Sequence, residues 1–298
     1  MFNSLLAHSI GLLPKPIVKI ASSPYIAGAK LDDAVRKIRE LNAMNIRATS
    51  DVLGEFVNSK EQAITAKGHD METLEAFAKY NLNSNLSIKL TSLGLNIDAD
   101  FCYTNVKELV ARAAELHNFV RIDMEDSGCT TATLDIYKRL RAAGFTNCGV
   151  VLQAYMRRSA ADIDALPSDH LNVRLCKGIY IEPEAIAFKD REEVRRNYKL
   201  LLRKLMDKGA FVGIATHDEP LIVDAYSEIA QRKLTASSYE FQMLLGVREN
   251  RRAQTVRDGH PMRVYIPFGE DWYGYATRRL KENPQIAMNV VKSFFGIS

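Results

Sequence analysis

The chain of 298 residues is 47% hydrophobic and 26% charged, a composition that excludes a disordered protein and predicts a large buried core. Its 40 Lys and Arg against 36 Asp and Glu leave a net charge of +4, with both signs mixed along the chain. Arginine pairs such as Arg195-Arg196 fall in polar helical stretches, where we expect solvated surfaces. We therefore predict no nucleic-acid partner.

The cysteines and the N-terminus bear on cofactor class and location. The four cysteines are isolated, without a CxxC pair that could hold zinc or form a redox disulfide. Near the N-terminus short apolar runs alternate with prolines and Lys15, which is not the pattern of a signal peptide or a spanning helix. The sequence predicts a cytoplasmic protein, and a contact of residues 5–20 with a membrane surface stays open.

Short apolar runs of strand length alternate with segments of helical periodicity along the chain. In chain order, after a helix over 31–45, the predicted strands are 46–53, 86–90, 119–124, 149–155, 172–176, 211–215, 239–244 and 263–267. Closing helical segments follow over 271–295. Gly144 and Gly209 stand where intervening helices are expected to end. Strand and helix thus alternate about eight times.

Short, continuously apolar strands separated by helices indicate a parallel sheet covered by helices. Eight such units close naturally into a barrel, and a doubly wound open sheet is the competing interpretation. An open sheet of this kind is expected to carry a glycine-rich phosphate loop, but the sequence has neither a G-x-G pair nor a G-x-x-x-x-G-K motif. We predict an α/β protein with a (β/α)8 barrel. It forms one domain over 1–298, in which 1–45 is a helical arm and 46–298 the barrel with its closing helices.

Polar side chains stand at the end of most predicted strands, which is where barrel enzymes place their active sites. In strand order these residues are Lys89; Asp123, Glu125 and Asp126; Gln153; Arg174 and Lys177; Thr216, His217 and Asp218; Gln242; and Tyr265. So many polar groups on one rim are costly to desolvate without a ligand. The sequence predicts a ligand site at that rim.

Lys89, Arg174 and Lys177 bring positive charge to the rim, and Arg278 and Arg279 add two guanidiniums against Asp123 and Glu282, so the predicted ligand is anionic. Arg278 and Arg279 open the closing helix, and Tyr275, Arg279 and Glu282 share much of one helical face. Because arginine binds a carboxylate through two parallel hydrogen bonds, the pair suits a small amino or keto acid. His217 is equally well interpreted as a structural residue or a base. With no metal-ligand set and no G-x-S-x-G nucleophile motif, the chemistry is expected from an organic cofactor.

Several long segments, taken together, resemble the monofunctional bacterial proline dehydrogenases. The resemblance rests on these stretches: YIAGAKLDDAVRKIRELNAMNIRATSDVLGE (25–55), LSIKLTSLGL (86–95), VRIDMED (120–126), VVLQAYMRR (150–158), VRLCKGIY (173–180), ATHD (215–218), YEFQMLLGV (239–247) and RVYIPFGEDWYGYATRRLKEN (263–283). The match runs in order over nearly the whole chain. The resemblance implies a distorted (β/α)8 barrel that binds FAD, with extra N-terminal helices and a C-terminal closing helix.

The same resemblance implies an activity and partners. The expected reaction is oxidation of L-proline to Δ1-pyrroline-5-carboxylate, with hydride passing to FAD N5 and electrons leaving to a membrane quinone. It also implies peripheral contact with the inner face of the cell membrane. The chain stops at Ser298, without room for the aldehyde dehydrogenase module of bifunctional relatives.

The resemblance assigns roles to particular residues. Catalytic roles fall to Asp123, which orients the cationic site, and to Arg174, beside flavin N5. Substrate binding is assigned to Lys89, Leu244, Tyr265, Tyr275, Arg278 and Arg279, with the two arginines gripping the carboxylate. Cofactor binding is assigned to Met124, Gln153, Arg174, Lys177, Gly178, Ile179, Thr216, His217, Gln242 and Glu282. No metal is expected.

Two positions mark how far the resemblance extends. Ile179 stands where relatives carry Ala, which puts a larger apolar group near flavin and substrate and leaves the pocket volume in doubt. Tyr265 matches the proline enzymes better than their hydroxyproline relatives. Two alternatives remain open: a related barrel flavoenzyme such as methylenetetrahydrofolate reductase, or a catalytically silent barrel that only binds a ligand.

Overall fold

Eight parallel strands close into a barrel in chain order, with β8 paired to β1, so the predicted (β/α)8 class is confirmed. The computed structural model describes residues 14–54 and 57–282, and only the backbone of Glu282. The strands are β1 (Arg47–Val52), β2 (Ser84–Ile88), β3 (Val120–Ile122), β4 (Cys148–Gln153), β5 (Asn172–Cys176), β6 (Phe211–Ala215), β7 (Tyr239–Leu244) and β8 (Met262–Phe268). Each predicted strand overlaps an observed one.

Helices follow the strands and precede β1. They are α1 (Lys15–Ser22), a 3₁₀ turn (Ser23–Tyr25), α2 (Leu31–Ala43), α3 (Lys60–Lys79), α4 (Ala99–Glu115), α5 (Ser127–Ala142), α6 (Ser159–Ala165), α7 (Arg191–Asp207), α8 (Glu219–Arg232), α9 (Glu249–Arg257) and α10 (Trp272–Glu282). The side chains of Asp98, Asp126 and Asp190 accept backbone N–H groups where α4, α5 and α7 begin. Each such cap contributes about 1 kcal/mol. Within the described ranges, no helix is both long and apolar enough to cross a bilayer.

The barrel interior is polar, which corrects the expectation of continuously apolar strands. In β7, Glu240 and Gln242 alternate with Phe241 and Met243, and in β8 Arg263 and Tyr265 alternate with Val264 and Ile266. The apolar members are buried in the cluster beneath the helices. The polar side chains of the strands point into the barrel. For example, Arg174 of β5 donates to Thr49 of β1, although these two strands are not neighbours. Barrel interiors more often hold layers of Val, Ile and Leu.

Helices α2 and α10 make the barrel irregular. Helix α2 packs outside against β1 and β8, the gap that the helix after β8 fills in a regular barrel. Helix α10 lies instead beside the carboxyl ends of the strands, where its side chains line a cavity. The arm covers it, since Val18, Ala21 and Tyr25 cluster with Ala276 and Leu280. The predicted extra N-terminal helix and closing helix are thus present.

Two sequence predictions extend beyond what the structure tests. The closing segment was predicted over 271–295, and its part from 283 onward lies outside the described residues. The membrane contact that the sequence leaves open for 5–20 concerns a segment of which 5–13 lies outside them as well. The division into one domain of 298 residues with an arm over 1–45 stays a prediction.

Candidate active site at the barrel mouth

A cavity of about 610 Å³ opens at the carboxyl ends of the strands, in the size range of small-molecule sites. Among its lining residues are Lys89, Asp123, Met124, Gln153, Arg174, Lys177, Gly178, Ile179, Thr216, His217, Gln242, Leu244, Tyr265, Tyr275, Arg278 and Arg279. The structure therefore brings together every residue to which the resemblance assigns a role except Glu282, whose side chain lies outside the described part. Of the polar residues predicted at the rim, Glu125 and Asp126 do not line the cavity, because Glu125 accepts from Thr91 and Asp126 caps α5. Their individual roles stay predictions.

Cations outnumber anions along the cavity wall. Lys89, Arg174, Lys177, Arg191, Arg278 and Arg279 line it, against Asp123 and Asp218. An excess of fixed positive charge in a cleft favours an anionic ligand. This arrangement fits the anionic substrate that the strand ends predict.

Arg174 lies at the centre of a buried network. Its Nη1 donates to Asp123 Oδ1 at 2.6 Å and to Ser87 Oγ at 3.2 Å, while its Nε donates to Gln242 Oε1 at 2.6 Å. Ser87 Oγ also donates to Asp123 Oδ1, at 2.8 Å. The Tyr265 hydroxyl donates to the other oxygen of Asp123 at 3.2 Å. Charge-assisted bonds on three sides fix the guanidinium before any ligand arrives.

Lys89 lies one residue past the end of β2, and its ammonium is held by an acid that sequence reasoning missed. Its Nζ is 2.5 Å from Asp51 Oδ2 and 3.5 Å from the Tyr265 hydroxyl. Burial raises the pKa of Asp51, although the adjacent Lys89 opposes this. Burial also raises the pKa of Tyr265 well above its ordinary value, so the phenol stays protonated and can donate. Asp51 therefore holds the Lys89 ammonium at the cavity wall.

His217 is neutral at physiological pH and serves a structural bond. Burial and the nearby Arg279, Arg248 and Lys177 lower its pKa to about 4. Its Nε2 lies 3.0 Å from the backbone N–H of Leu244 and accepts its hydrogen bond. The proton of the neutral ring must then be on Nδ1. His217 thus links the end of β6 to the end of β7 beneath the cavity mouth.

Asp218 holds Lys177 and an arginine that the sequence analysis placed on a solvated surface. Its Oδ2 accepts from Lys177 Nζ at 3.0 Å and from Arg195 Nε at 3.0 Å, and its Oδ1 accepts from Arg195 Nη2 at 2.8 Å. The side chain of Arg195 is only 15% exposed, so the expectation of a solvated surface was wrong for it. The reason is tertiary, because α7 brings Arg195 against a carboxylate at the end of β6.

Helix α10 supplies the remaining wall. Tyr275, Arg278 and Arg279 line the cavity from this helix, and Arg279 is buried. Leu244 faces them from the end of β7. Ile179 also lines the cavity and is half-exposed.

The residues that sequence reasoning missed share one signal. Thr49 and Asp51, Ser87 and Lys89, Arg121 and Asp123, Glu240 and Gln242, and Arg263 and Tyr265 are polar pairs spaced two apart. Each pair lies on one face of its strand, and that face is the barrel interior. The strand-end pattern points to the second member of four of these pairs and to neither member of the pair Thr49 and Asp51. The two-residue period would have found Asp51, Ser87 and Glu240.

The model for the family described as proline dehydrogenase matches residues 34–292. The chain belongs to the proline dehydrogenase family. The resemblance read from the sequence is thereby confirmed, and with it an oxidoreductase of proline catabolism. Proline dehydrogenase 2 of Bacillus subtilis is 39% identical over 280 residues, which are 94% of this chain and 91% of the relative. Proline dehydrogenase of Deinococcus radiodurans is 33% identical over 272 residues, 90% of this chain and 88% of the relative.

Solved structures give the same fold. Proline utilization A from Bdellovibrio bacteriovorus superposes with a TM-score of 0.82 at 24% identity, over 89% of this chain and 32% of that protein. The protein of the same name from Bradyrhizobium japonicum has a TM-score of 0.75 over 88% of this chain and 31% of its own. Proline dehydrogenase family members and larger proteins therefore share this barrel.

The donor set of the cavity fits a flavin nucleotide. Met124, Val151 and Ala215 offer an apolar surface, while Gln153, Thr216 and Gln242 offer neutral polar groups beside it. Lys177 and Arg191 add positive charge on the same wall. An apolar surface suits a flat ring system, polar groups suit its edge, and cations suit a diphosphate. Residues of this family member could therefore hold the cofactor that the sequence predicts.

A second cavity, of about 330 Å³, lies between the end of β1 and α3. Its wall includes Leu53, His69, Asp70, Ser92 and Asp271. Asp70 is buried, and its burial together with the negative charge of Asp51 raises its pKa well above the ordinary value. Asp70 therefore stays protonated over part of the pH range in which a free carboxyl group would be ionised.

Proposed function

We propose that this chain is an FAD-dependent dehydrogenase that oxidises L-proline to Δ1-pyrroline-5-carboxylate and delivers the electrons to a membrane quinone. The observation that carries the proposal is the pair Arg278 and Arg279 on α10, set in one cavity with the network of Arg174 and Asp123. Guanidinium groups suit the carboxylate of an amino acid. FAD, when bound, supplies the acceptor for the hydride.

Substrate binding is the work of one side of the cavity. Arg278, Arg279 and Lys89 bind the carboxylate, and their positive charge also disfavours a protonated amine nearby. Tyr265, Tyr275 and Leu244 form the walls that exclude water and fix the ring. Oriented binding of this kind reduces the entropy cost of reaching the transition state.

Charge stabilisation is the work of the other side. Arg174, held by Asp123, presents a fixed positive charge where negative charge develops as the substrate is oxidised. Met124, Gln153, Lys177, Gly178, Ile179, Thr216, His217 and Gln242 hold the cofactor, with Glu282 following the arginine pair. We also propose peripheral attachment at the inner face of the cell membrane, since the quinone resides there.

Spectroscopy tests the proposal. Purified protein, reconstituted with FAD if needed, is expected to show a flavin absorption band that anaerobic L-proline bleaches. Acid precipitation is expected to release all flavin, because no Cys or His is assigned a covalent link. Bleaching by a reduced nicotinamide, with recovery of the band when methylenetetrahydrofolate is added, would instead support the methylenetetrahydrofolate reductase alternative. A colourless protein that FAD cannot reconstitute would support the silent barrel.

A further inference from the structure

One side chain bridges the active-site arginine and the acid below it. Gln242 accepts from Arg174 Nε through Oε1 at 2.6 Å, and its Nε2 donates to Glu240 Oε1 at 2.7 Å. All three residues are buried. In the sheet register, Arg174 of β5 pairs with Gly213 of β6, which pairs with Glu240 of β7. The amide of Gln242 therefore spans the position of Gly213.

The missing side chain at position 213 is what gives Gln242 its room. A Cβ placed on Gly213 would lie 2.5 Å from Nε2 and 2.9 Å from Cδ of Gln242. Real contacts at that distance are repulsive, and the flexible end of Gln242 is the part that can move. Any other residue at position 213 would push the amide out of the gap between Arg174 and Glu240.

Glu240 decides which way the amide points. The two ends of an amide are nearly the same size, but only the oxygen can accept from the Nε–H of Arg174. A reversed amide would set two donors against each other. An ionised carboxylate accepts only, so Glu240 must receive the NH₂ end of Gln242. Although burial raises the pKa of Glu240, the Arg263 guanidinium at 2.5 Å outweighs this and lowers it, which keeps the acid ionised.

We propose that Glu240 and Gly213 are positioning residues for the reaction, acting through Gln242 to hold the Arg174 guanidinium in the orientation that faces the cavity. Neither residue lines the cavity wall, so both act indirectly, through Gln242. The inference rests on the proposed role of Arg174 in stabilising charge during proline oxidation. A shift of a few tenths of an ångström in a preorganised charge is enough to weaken its effect.

Three variants test separately the space beside Gln242, the direction of its amide and the charge at position 240. Gly213→Ala displaces the amide and leaves every charge in place. Glu240→Met removes the acceptor, whereas Glu240→Gln keeps a carbonyl oxygen of the same reach. The measurements are the rate of anaerobic flavin reduction by L-proline, the midpoint potential of the bound flavin, the dissociation constant for FAD and the KM for proline.

We expect Gly213→Ala and Glu240→Met to slow flavin reduction about tenfold or more, as the partial loss of one preorganised charge does. The midpoint potential should become more negative, because less positive charge faces the reduced flavin. KM for proline should change less than about threefold, since the carboxylate-binding arginines are on α10. Glu240→Gln should stay within about twofold of the wild-type rate. As a matched control, Glu228→Gln changes a buried acid paired with Arg203 and Arg232 on the barrel exterior, and should leave rate and potential unchanged.

A double-mutant cycle with Arg174→Met decides the inference. If Glu240 and Gly213 act through Arg174, neither variant should slow the reaction further once that side chain is replaced. The proposal would be overturned if either variant slowed flavin reduction by the same factor in the Arg174→Met background as in wild type. It would also be overturned if Gly213→Ala left the midpoint potential of the flavin unchanged. A wild-type rate and potential in Arg174→Met alone would instead refute the proposed role of Arg174. Gly213→Ala decides the matter even if Glu240→Met does not fold, because it removes no charge.

Discussion

The mouth and the floor of this barrel are built from the same kinds of charged side chain, but their charges are used differently. On the floor, Arg121 donates to the carbonyls of Val150 and Asn172 at 2.9 and 3.0 Å. Arg263 donates to the Ala48 carbonyl at 2.6 Å and to Glu240. At the mouth, six cationic side chains and two acidic ones surround a cavity.

The difference shows what each charge is for. Floor guanidiniums are satisfied by backbone carbonyls and a carboxylate, so they hold the strands together. Even so, burial lowers the pKa of Arg121 to about 9, which shows how strongly that site depends on its acceptors. At the mouth, cationic side chains outnumber acidic ones among the residues that line the cavity, and this excess of positive charge favours an anionic ligand. Substitutions at the mouth should therefore affect catalysis, and substitutions around Arg121 on the floor should affect stability. Glu240 is the exception on the floor, because Gln242 connects it to Arg174.

The largest expected effect is at the mouth. Replacing the buried Arg279 by Ala should weaken binding of a proline-like carboxylate by about 2–5 kcal/mol, because a charge-assisted contact in a desolvated site is lost. Replacing Arg278, which is exposed, should weaken it less. FAD content should fall far less. Titration with a five-membered cyclic carboxylate that lacks the ring nitrogen measures this directly. Wild-type affinity in either variant would show that the carboxylate is bound elsewhere.

On the floor, Gly149→Ala should reduce stability. Its Cβ would lie 2.6 Å from both Arg121 Nη1 and the Asn172 carbonyl, where the backbone cannot yield. We expect a loss of about 1–3 kcal/mol, typical of overpacking, in the free energy of unfolding measured with urea. Gly68→Ala is the matched control, since its Cβ in α3 meets nothing within 4 Å. That control should gain about 0.5–1 kcal/mol. Equal free energies of unfolding for Gly149→Ala and Gly68→Ala would contradict the close packing around Gly149 on the barrel floor.

The mouth also predicts a pH effect, through His217. Its pKa falls from 6.5 unfolded to about 4 folded, so the unfolded state binds more protons between these values. Stability contributed by the neutral ring is therefore present above pH 6.5 and is lost as the pH falls toward 4. His217→Gln keeps an acceptor for the Leu244 N–H without titrating, and should remove about 2 kcal/mol of this pH dependence. Thermal denaturation from pH 4 to 7 compares the slopes, and parallel curves would refute the shift.

The smallest expected effect concerns Asp70 in the second cavity. Its pKa is raised on folding, so the folded state holds a proton that the unfolded state has released, and stability falls as the pH rises through that window. Asp70→Asn is neutral at every pH. At pH 8 its free energy of unfolding, measured with denaturant, should exceed that of wild type by about 1 kcal/mol. Near pH 4 the two should be alike. A gain of the same size at both values would mean that the carboxyl does not titrate.

Much of the site could be predicted because it follows from strand ends. Arg174 and Gln242 lie on strands of the barrel, Asp123 directly follows β3, and parallel strands bring such positions to one rim. Arg195 could not be assigned this way, because its partner Asp218 is 23 residues away and is reached only when α7 packs beside β6. Asp51 was missed for a different reason: its polar side chain was counted as part of an apolar strand.

By itself the sequence determined the eight strands, their alternation with helices and the family, because apolar periodicity and long matching segments are local properties of the chain. It also determined most of the side chains that reach the barrel mouth. Only the tertiary structure decided that the barrel interior is polar from floor to mouth and that α10 supplies a cavity wall. Only the structure showed that Gly213 leaves space for Gln242 to join Arg174 to Glu240. These features depend on distances between residues far apart in the chain, which strand periodicity does not encode.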